Sequence, residues 1–117
     1  MAIEHVLAVV AVSDIDRSEQ WYTALFGRPA DNNPMPSLVE WQIRPGAWVQ
    51  VFSDPERAGK TLLNFAVADL DGHLDAIASR GIQPGEIVDA NKGVRTCPVT
   101  DPDGNTISLI GGFRVDY

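Results

Sequence analysis

One pattern occurs twice in this chain, and that repeat constrains the fold more than any other feature. Asp14-Ile15-Asp16 returns as Asp69-Leu70-Asp71, 55 residues later, each time behind a short apolar run (Val9 to Val12, then Leu63 to Val67). A helix-like stretch follows in both copies and ends at Gly27 and Gly81, with Pro29 and Pro84 shortly beyond. Pro45-Gly46 before Trp48 to Phe52 is echoed by Asp103-Gly104 before Thr106 to Ile110. Two copies of this length are too few and too long for a solenoid, so duplication inside one compact unit fits better. Two similar halves build a cleft between them, and the differences between the copies then decide what the cleft does.

The elements follow from local chemistry. Ile3 to Val12 is almost continuously apolar and rich in β-branched residues, which reads as a buried strand. Ser13 and Asp14 supply N-cap chemistry, and Asp16 and Glu19 favour the positive end of a helix. Ile15, Trp21, Tyr22 and Leu25 fall on one broad helical face, closed by Gly27. The second copy repeats this with Leu62 to Val67 as strand, Asp69 as cap, and Leu70, Leu74 and Ile77 as the buried stripe before Gly81. Arg28 to Ser37, rich in Pro and Asn, reads as a short edge strand plus loop or as a mobile flap. Leu38 to Ile43 and Ala47 to Phe52 form one hairpin, and Val94 to Thr100 and Thr106 to Ile110 another, around Asp101-Pro102-Asp103-Gly104. A weak strand around Glu86 to Ala90 matches the edge segment of the first half. The order is β-α-β-β-β, twice.

Composition removes several classes of function. A chain of 117 residues with 44% apolar content suits one domain with a substantial core, residues 1–117, made of halves at about 3–53 and 61–111. No apolar stretch reaches bilayer length and no charged-then-apolar leader opens the chain, so a cytoplasmic protein without membrane partners is expected. The single Cys97 has no partner for an internal disulfide and reads as a small core residue in a reducing compartment. Sixteen acidic against nine basic side chains give a net charge of −7, which repels nucleic acid and favours cationic small molecules.

Four segments carry a family resemblance: "VSDIDRSEQWYTALFG", "VQVFSDPERAG", "VADLDGHLDAIASRG" and "DPDGNTISLI". In this order and spacing, over about residues 3 to 111, the chain resembles the vicinal oxygen chelate superfamily. That superfamily includes glyoxalase I, bleomycin-resistance proteins and extradiol dioxygenases. The resemblance implies an α+β fold of two tandem βαβββ modules, a curled mixed sheet around a cleft with helices outside, and a homodimer that sometimes exchanges modules. For metal-using members it also implies two metal ligands per module, typically His or Gln and Glu, one on the first strand and one on the last. Counted from the Asp-x-Asp caps, those positions hold Leu7 and Gln50 in the first module and Leu62 and Ser108 in the second. Leucine offers no donor, Gln50 only a weak carbonyl oxygen, and Ser108 is a poor ligand. The expectation is therefore no metal and no cofactor. His5 points to the same face as Leu7, and a bulge would carry it to the first ligand position; the plainer reading is a polar residue at the strand start. His73, opposite the Leu70, Leu74 stripe, is expected to face solvent.

Alternation then assigns the cleft wall. His5, Leu7 and Val9 face it from the first strand, Leu62 and Asn64 from its repeat, and Trp48, Gln50 and Phe52 with Thr106, Ser108 and Ile110 from the hairpins. Glu40 and Gln42 join them, since Val39, Trp41 and Ile43 have the opposite parity. The candidate ligand-binding residues are thus His5, Glu40, Gln42, Trp48, Gln50, Phe52, Asn64 and Ser108. Aromatic walls with neutral hydrogen-bonding groups suit a flat or mixed-polarity small molecule. Three functions fit: a metal-free binding protein that sequesters an antibiotic or another aromatic or cationic ligand, a glyoxalase-like lyase, isomerase or dioxygenase with an altered site, and an interaction module whose cleft is plugged by Trp48 and Phe52. The first accounts for most of the sequence.

Overall fold

In a computed structural model that describes residues 2–116, each half of the chain builds the same unit. The first runs β1 (Val6–Val12), α1 (Ile15–Phe26), β2 (Asn32–Met35), β3 (Leu38–Arg44) and β4 (Ala47–Ser53). The second runs β5 (Leu62–Val67), α2 (Leu70–Ser79), β6 (Val88–Asn91), β7 (Val94–Thr100) and β8 (Thr106–Gly111). Each half closes its own four-stranded mixed sheet, in the orders β1-β4-β3-β2 and β5-β8-β7-β6. The first strand of a module lies parallel to its last, and the rest are antiparallel. This is the α+β pair of βαβββ modules that the repeat implies. Among the described residues, no helix is long and apolar enough to cross a membrane.

Local chemistry sets the boundaries. Asp14 and Asp69 are the N-caps, accepting from the backbone N–H groups of Arg17 and Gly72. Gly27 ends α1 in the left-handed region, where its N–H reaches the Thr23 carbonyl. β1 starts at Val6 rather than Ile3, because its ladder with β4 begins where Val6 meets Ala47. Of the two readings of Arg28 to Ser37, the edge strand is the one realised. β2 holds Pro34 at an edge, where a missing N–H costs nothing, and Arg28 clamps the preceding turn through Asp31 at 2.9 Å and the Gln42 carbonyl.

The two helix-bearing sheet faces feed one core. Val10, Val12, Val39, Trp41, Val49 and Val51 from the first sheet join Cys97, Val99, Ile107 and Leu109 from the second, with Tyr22, Leu25, Leu70, Leu74 and Ile77 from the helices. The Phe26 ring meets Phe65 edge-on across the module boundary, with centroids 5.7 Å apart. Cys97 is fully buried, as its apolar surroundings suggest, and burial raises its thiol pKa above the usual value.

A buried polar knot adds direction to this apolar joint. Tyr22 Oη donates to Asp101 Oδ2 at 2.8 Å, and the other Asp101 oxygen accepts from the N–H groups of Asp103 and Asn105. Asn105 Nδ2 donates to Asp101 and to the Ala11 carbonyl, both at 2.8 Å, while its Oδ1 accepts from Thr61 N–H at 2.9 Å. The Asp101–Gly104 segment is the hairpin turn read from sequence, but its first residue is also the hub between α1, β1 and the second module. Every bond in the knot is internal, so it fixes how the modules sit without leaving a buried group unpaired.

Candidate functional site

Strict alternation along the first sheet separates a closed face from an open one. Val39, Trp41, Val49 and Val51 are 0–1% exposed under α1. Their neighbours in sequence point the other way: Leu7 and Val9 are 51% and 50% exposed, and Glu40, Gln42, Trp48, Gln50 and Phe52 are half-buried. The second sheet repeats this, with Ile107 and Leu109 buried and Leu62 68% exposed beside Asn64 and Ser108. The open faces are therefore built by the same period-two pattern that builds the core.

On the first open face the polar side chains are organised. Glu40 and Gln50 are directly opposite in the β3–β4 ladder, and Gln50 Nε2 donates to Glu40 Oε2 at 2.5 Å. Asn32, opposite Glu40 on β2, donates from Nδ2 to the other carboxylate oxygen at 3.2 Å. Two amides thus hold one carboxylate as a fixed acceptor at the centre of the face. At one end, Trp48 Nε1 donates to His5 Nδ1 at 3.2 Å, and the rings meet at 61°. That bond takes up one imidazole nitrogen and steadies the indole. At the other end Phe52 borders a recess shared with Val9, Ala11 and the connector between the modules. Gln42 is anchored through its backbone, whose N–H donates to Asp31 at 2.7 Å.

The eight sequence-derived site residues divide between the two sheets. His5, Glu40, Gln42, Trp48, Gln50 and Phe52 lie on the first module, and Asn64 and Ser108 face each other across the β5–β8 pair of the second. Asn32 is not among them, although it lies in the Pro/Asn-rich stretch that reads as an edge strand plus loop or as a mobile flap. His73 differs from expectation. It is half-buried and lines an apolar recess with Leu25, Phe26, Ile43 and Phe65, and desolvation followed by the Arg80 charge lowers its pKa. A helical wheel places it opposite the Leu70, Leu74 stripe, but the first module supplies a second wall there.

The four ligand positions implied by the family do not fit a divalent metal. Leu7 and Leu62 carry no donor atom, Gln50 is engaged with Glu40, and Ser108 offers only a hydroxyl. Among the described residues, no three His, Cys, Asp or Glu side chains gather as a metal centre would require. What remains is an aromatic and aliphatic surface with a central acceptor and amide donors. Such a surface can stack a planar group and hydrogen-bond its edge.

Comparison with known proteins agrees with the fold. The family model for the Glyoxalase/Bleomycin resistance protein/Dioxygenase superfamily matches residues 2–109. A glyoxalase/bleomycin resistance protein from Catenulispora acidiphila is 30% identical and superposes with a TM-score of 0.86, covering 92% of this chain and 96% of that one. TnmS3, described as an antibiotic binding protein from a Streptomyces species, is 24% identical with a TM-score of 0.77, covering 95% and 98% of the two chains. An integron cassette protein from a sewage-outfall metagenome shares the fold at 18% identity, with a TM-score of 0.77 and coverage of 92% and 97%. No curated protein sequence matches the chain.

Proposed function

The chain belongs to the Glyoxalase/Bleomycin resistance protein/Dioxygenase superfamily, and we propose that it acts there as a metal-free binding protein for a small organic molecule with a planar aromatic part. The observation that carries this reading is the first open face. Trp48 and Phe52 offer stacking surface on either side of a carboxylate fixed by two amides, while leucines stand where metal ligands are implied. Fixed hydrogen-bonding groups between aromatic side chains are what a site for a flat, mixed-polarity ligand requires.

The ligand class is an antibiotic or a similar aromatic or cationic compound, sequestered rather than transformed. Glu40 supplies the acceptor for a cationic or N–H-bearing edge, and the net charge of −7 favours such compounds at long range. TnmS3 shares the fold and is described as an antibiotic binding protein, which supports this reading. The protein works as a homodimer in the cytoplasm. Support for the dimer comes from Leu7, Val9 and Leu62, which leave both sheet faces apolar and at least half exposed. A second copy placed over these faces would turn open walls into closed clefts.

Titration of planar aromatic antibiotics, followed by tryptophan fluorescence, tests this reading. Of the three tryptophans, Trp41 is fully buried, Trp21 packs edge-on against Tyr22 on α1, and Trp48 stands on the open face, so the response to a ligand there belongs largely to Trp48. Saturable quenching that disappears in Trp48→Phe, with affinity weakened in Glu40→Gln, is the expected result. Binding unchanged in both variants, or a ligand response that requires a divalent ion, would overturn it.

A further inference from the structure

Whole-chain charge and local charge disagree at one end of the proposed site. The recess beside Phe52 has a volume of about 450 Å³ and is lined by Val9, Ala11, Phe52, Asp54, Arg57, Lys60 and Thr61. Its floor is apolar sheet face and its rim is the connector between modules. Two cations and one carboxylate border it, so its local charge is positive in a protein of net charge −7. Glu56 shares the connector but does not line the recess, and more distant acidic side chains are screened by salt beyond about 10 Å.

The cations are held by a pinned segment. Asp54 N–H donates to the Val12 carbonyl at 2.9 Å, Arg57 N–H to the Asp54 carbonyl at 3.1 Å, and Thr61 N–H to Asn105 at 2.9 Å. Gly59 sits with a φ of +85°, and a Cβ there would lie 2.5 Å from the Asp103 carbonyl oxygen, so the turn is wedged against the second module's hairpin. The cationic heads themselves are lightly committed. Arg57 meets Asp54 only at 3.6 Å and its side chain is 82% exposed, while Lys60 Nζ reaches the Glu56 carbonyl at 3.5 Å. An acid group entering the recess would meet one guanidinium and one ammonium on an already ordered backbone.

We propose that this recess is an acid-binding subsite, so that the ligand carries a carboxylate or equivalent single acid group on its apolar body. This rests on the reading of the first open face as a small-molecule site and sharpens it. Phe52 lies two residues beyond Gln50 on the same face of β4, a separation of about 7 Å along the strand. A ligand whose planar body covers Phe52 therefore reaches Glu40 with a donor edge and Arg57 and Lys60 with its acid group. The selectivity at this end is opposite in sign to that implied by total charge.

Two probes of equal shape separate the possibilities: naphthoate and naphthylmethylammonium, titrated separately by calorimetry into the full-length protein. Naphthoate is expected to bind more tightly by about tenfold, and to lose that advantage in the Arg57→Gln, Lys60→Gln double variant. Salt near 0.5 M should weaken naphthoate several-fold, as screening of an exposed ion pair requires. Both residues are exposed, so the variant will fold; an unchanged melting temperature verifies this. Tighter binding of the ammonium, or naphthoate binding indifferent to the double variant, overturns the acid-binding subsite while leaving the aromatic site standing. Absence of binding by both probes, together with no response of Trp48 to planar antibiotics, removes the underlying reading and the subsite with it.

Discussion

Removing one oxygen atom from the joint between the modules should cost a measurable share of the stability. In Tyr22→Phe the ring keeps its place among Trp21, Phe26 and Trp41, but Asp101 loses the donor that approaches at 2.8 Å. Tyr22 is 0% and Asp101 4% exposed, so water does not replace the lost bond. A hydrogen bond to a charged group contributes roughly 1.5–3 kcal/mol. Asp101 keeps donors from Asp103, Asn105 N–H and Asn105 Nδ2, which places the expected loss near the middle of that range, about 2 kcal/mol. For a domain of this size that is a fall in Tm of roughly 6–10 °C. Urea denaturation at neutral pH and fixed protein concentration gives the free energy directly, because association also shifts apparent stability. Ser13→Ala, which removes the exposed contact to Asp103, is the matched control and should stay within about 0.5 kcal/mol. A Tyr22→Phe value inside that same band would refute the knot as an energetic link. Alkali offers an independent reading: burial first, then the Asp101 charge, hold the Tyr22 phenol well above its usual range. The neutral phenol therefore contributes stability that is intact below about pH 10 and is lost as pH rises further, an effect Tyr22→Phe abolishes.

Other consequences are as easily checked. Gly59→Ala combines a left-handed φ of +85° with a backbone clash at 2.5 Å, and should destabilise by about 2–3 kcal/mol in thermal or urea melts; a neutral result would mean that the connector is not wedged. His73 has a lowered pKa in the fold, so stability is complete above about pH 6.5 and declines as pH falls through the lowered value. His73→Gln should flatten that slope between neutral pH and pH 5, and an unchanged slope would show that the imidazole is hydrated. Leu62→His with Ser108→Glu restores donors at two positions of the second module and should make melting sensitive to added nickel or zinc; no metal dependence would mean that the ligand positions are misassigned.

Much of this architecture was legible because the duplication repeats local signals that act alone. Asp14 and Asp69 cap helices, glycines end or follow them, and alternation from Val39 to Ile43 and Trp48 to Phe52 distinguishes closed from open faces before any packing is known. The same parity supplied the candidate site, which is why Glu40 and Gln50 emerge as opposite residues on one face. What stayed hidden depends on contacts between modules. Asp101 and Asn105 look like turn residues until Tyr22, Ala11 and Thr61 arrive from elsewhere in the chain. His73 looks solvent-facing on its own helix until Phe26 and Ile43 approach from the other half. Strand starts near Ile3 and Glu86 fall too early for a related reason, since the paired ladders begin only at Val6 and Val88.

The central claim is that this chain keeps the superfamily's scaffold but carries leucine at two of the four positions where the resemblance implies ligands in metal-using members. Elemental analysis of untagged protein, purified without chelators, tests it most directly. The account predicts nickel, zinc, manganese and iron well below one equivalent per chain, with the fluorescence response of Trp48 to planar ligands unaffected by prior chelation. One firmly held ion per chain would contradict it, drawing His5 and Gln50 back in as ligands and moving a lyase, isomerase or dioxygenase reaction ahead of simple binding.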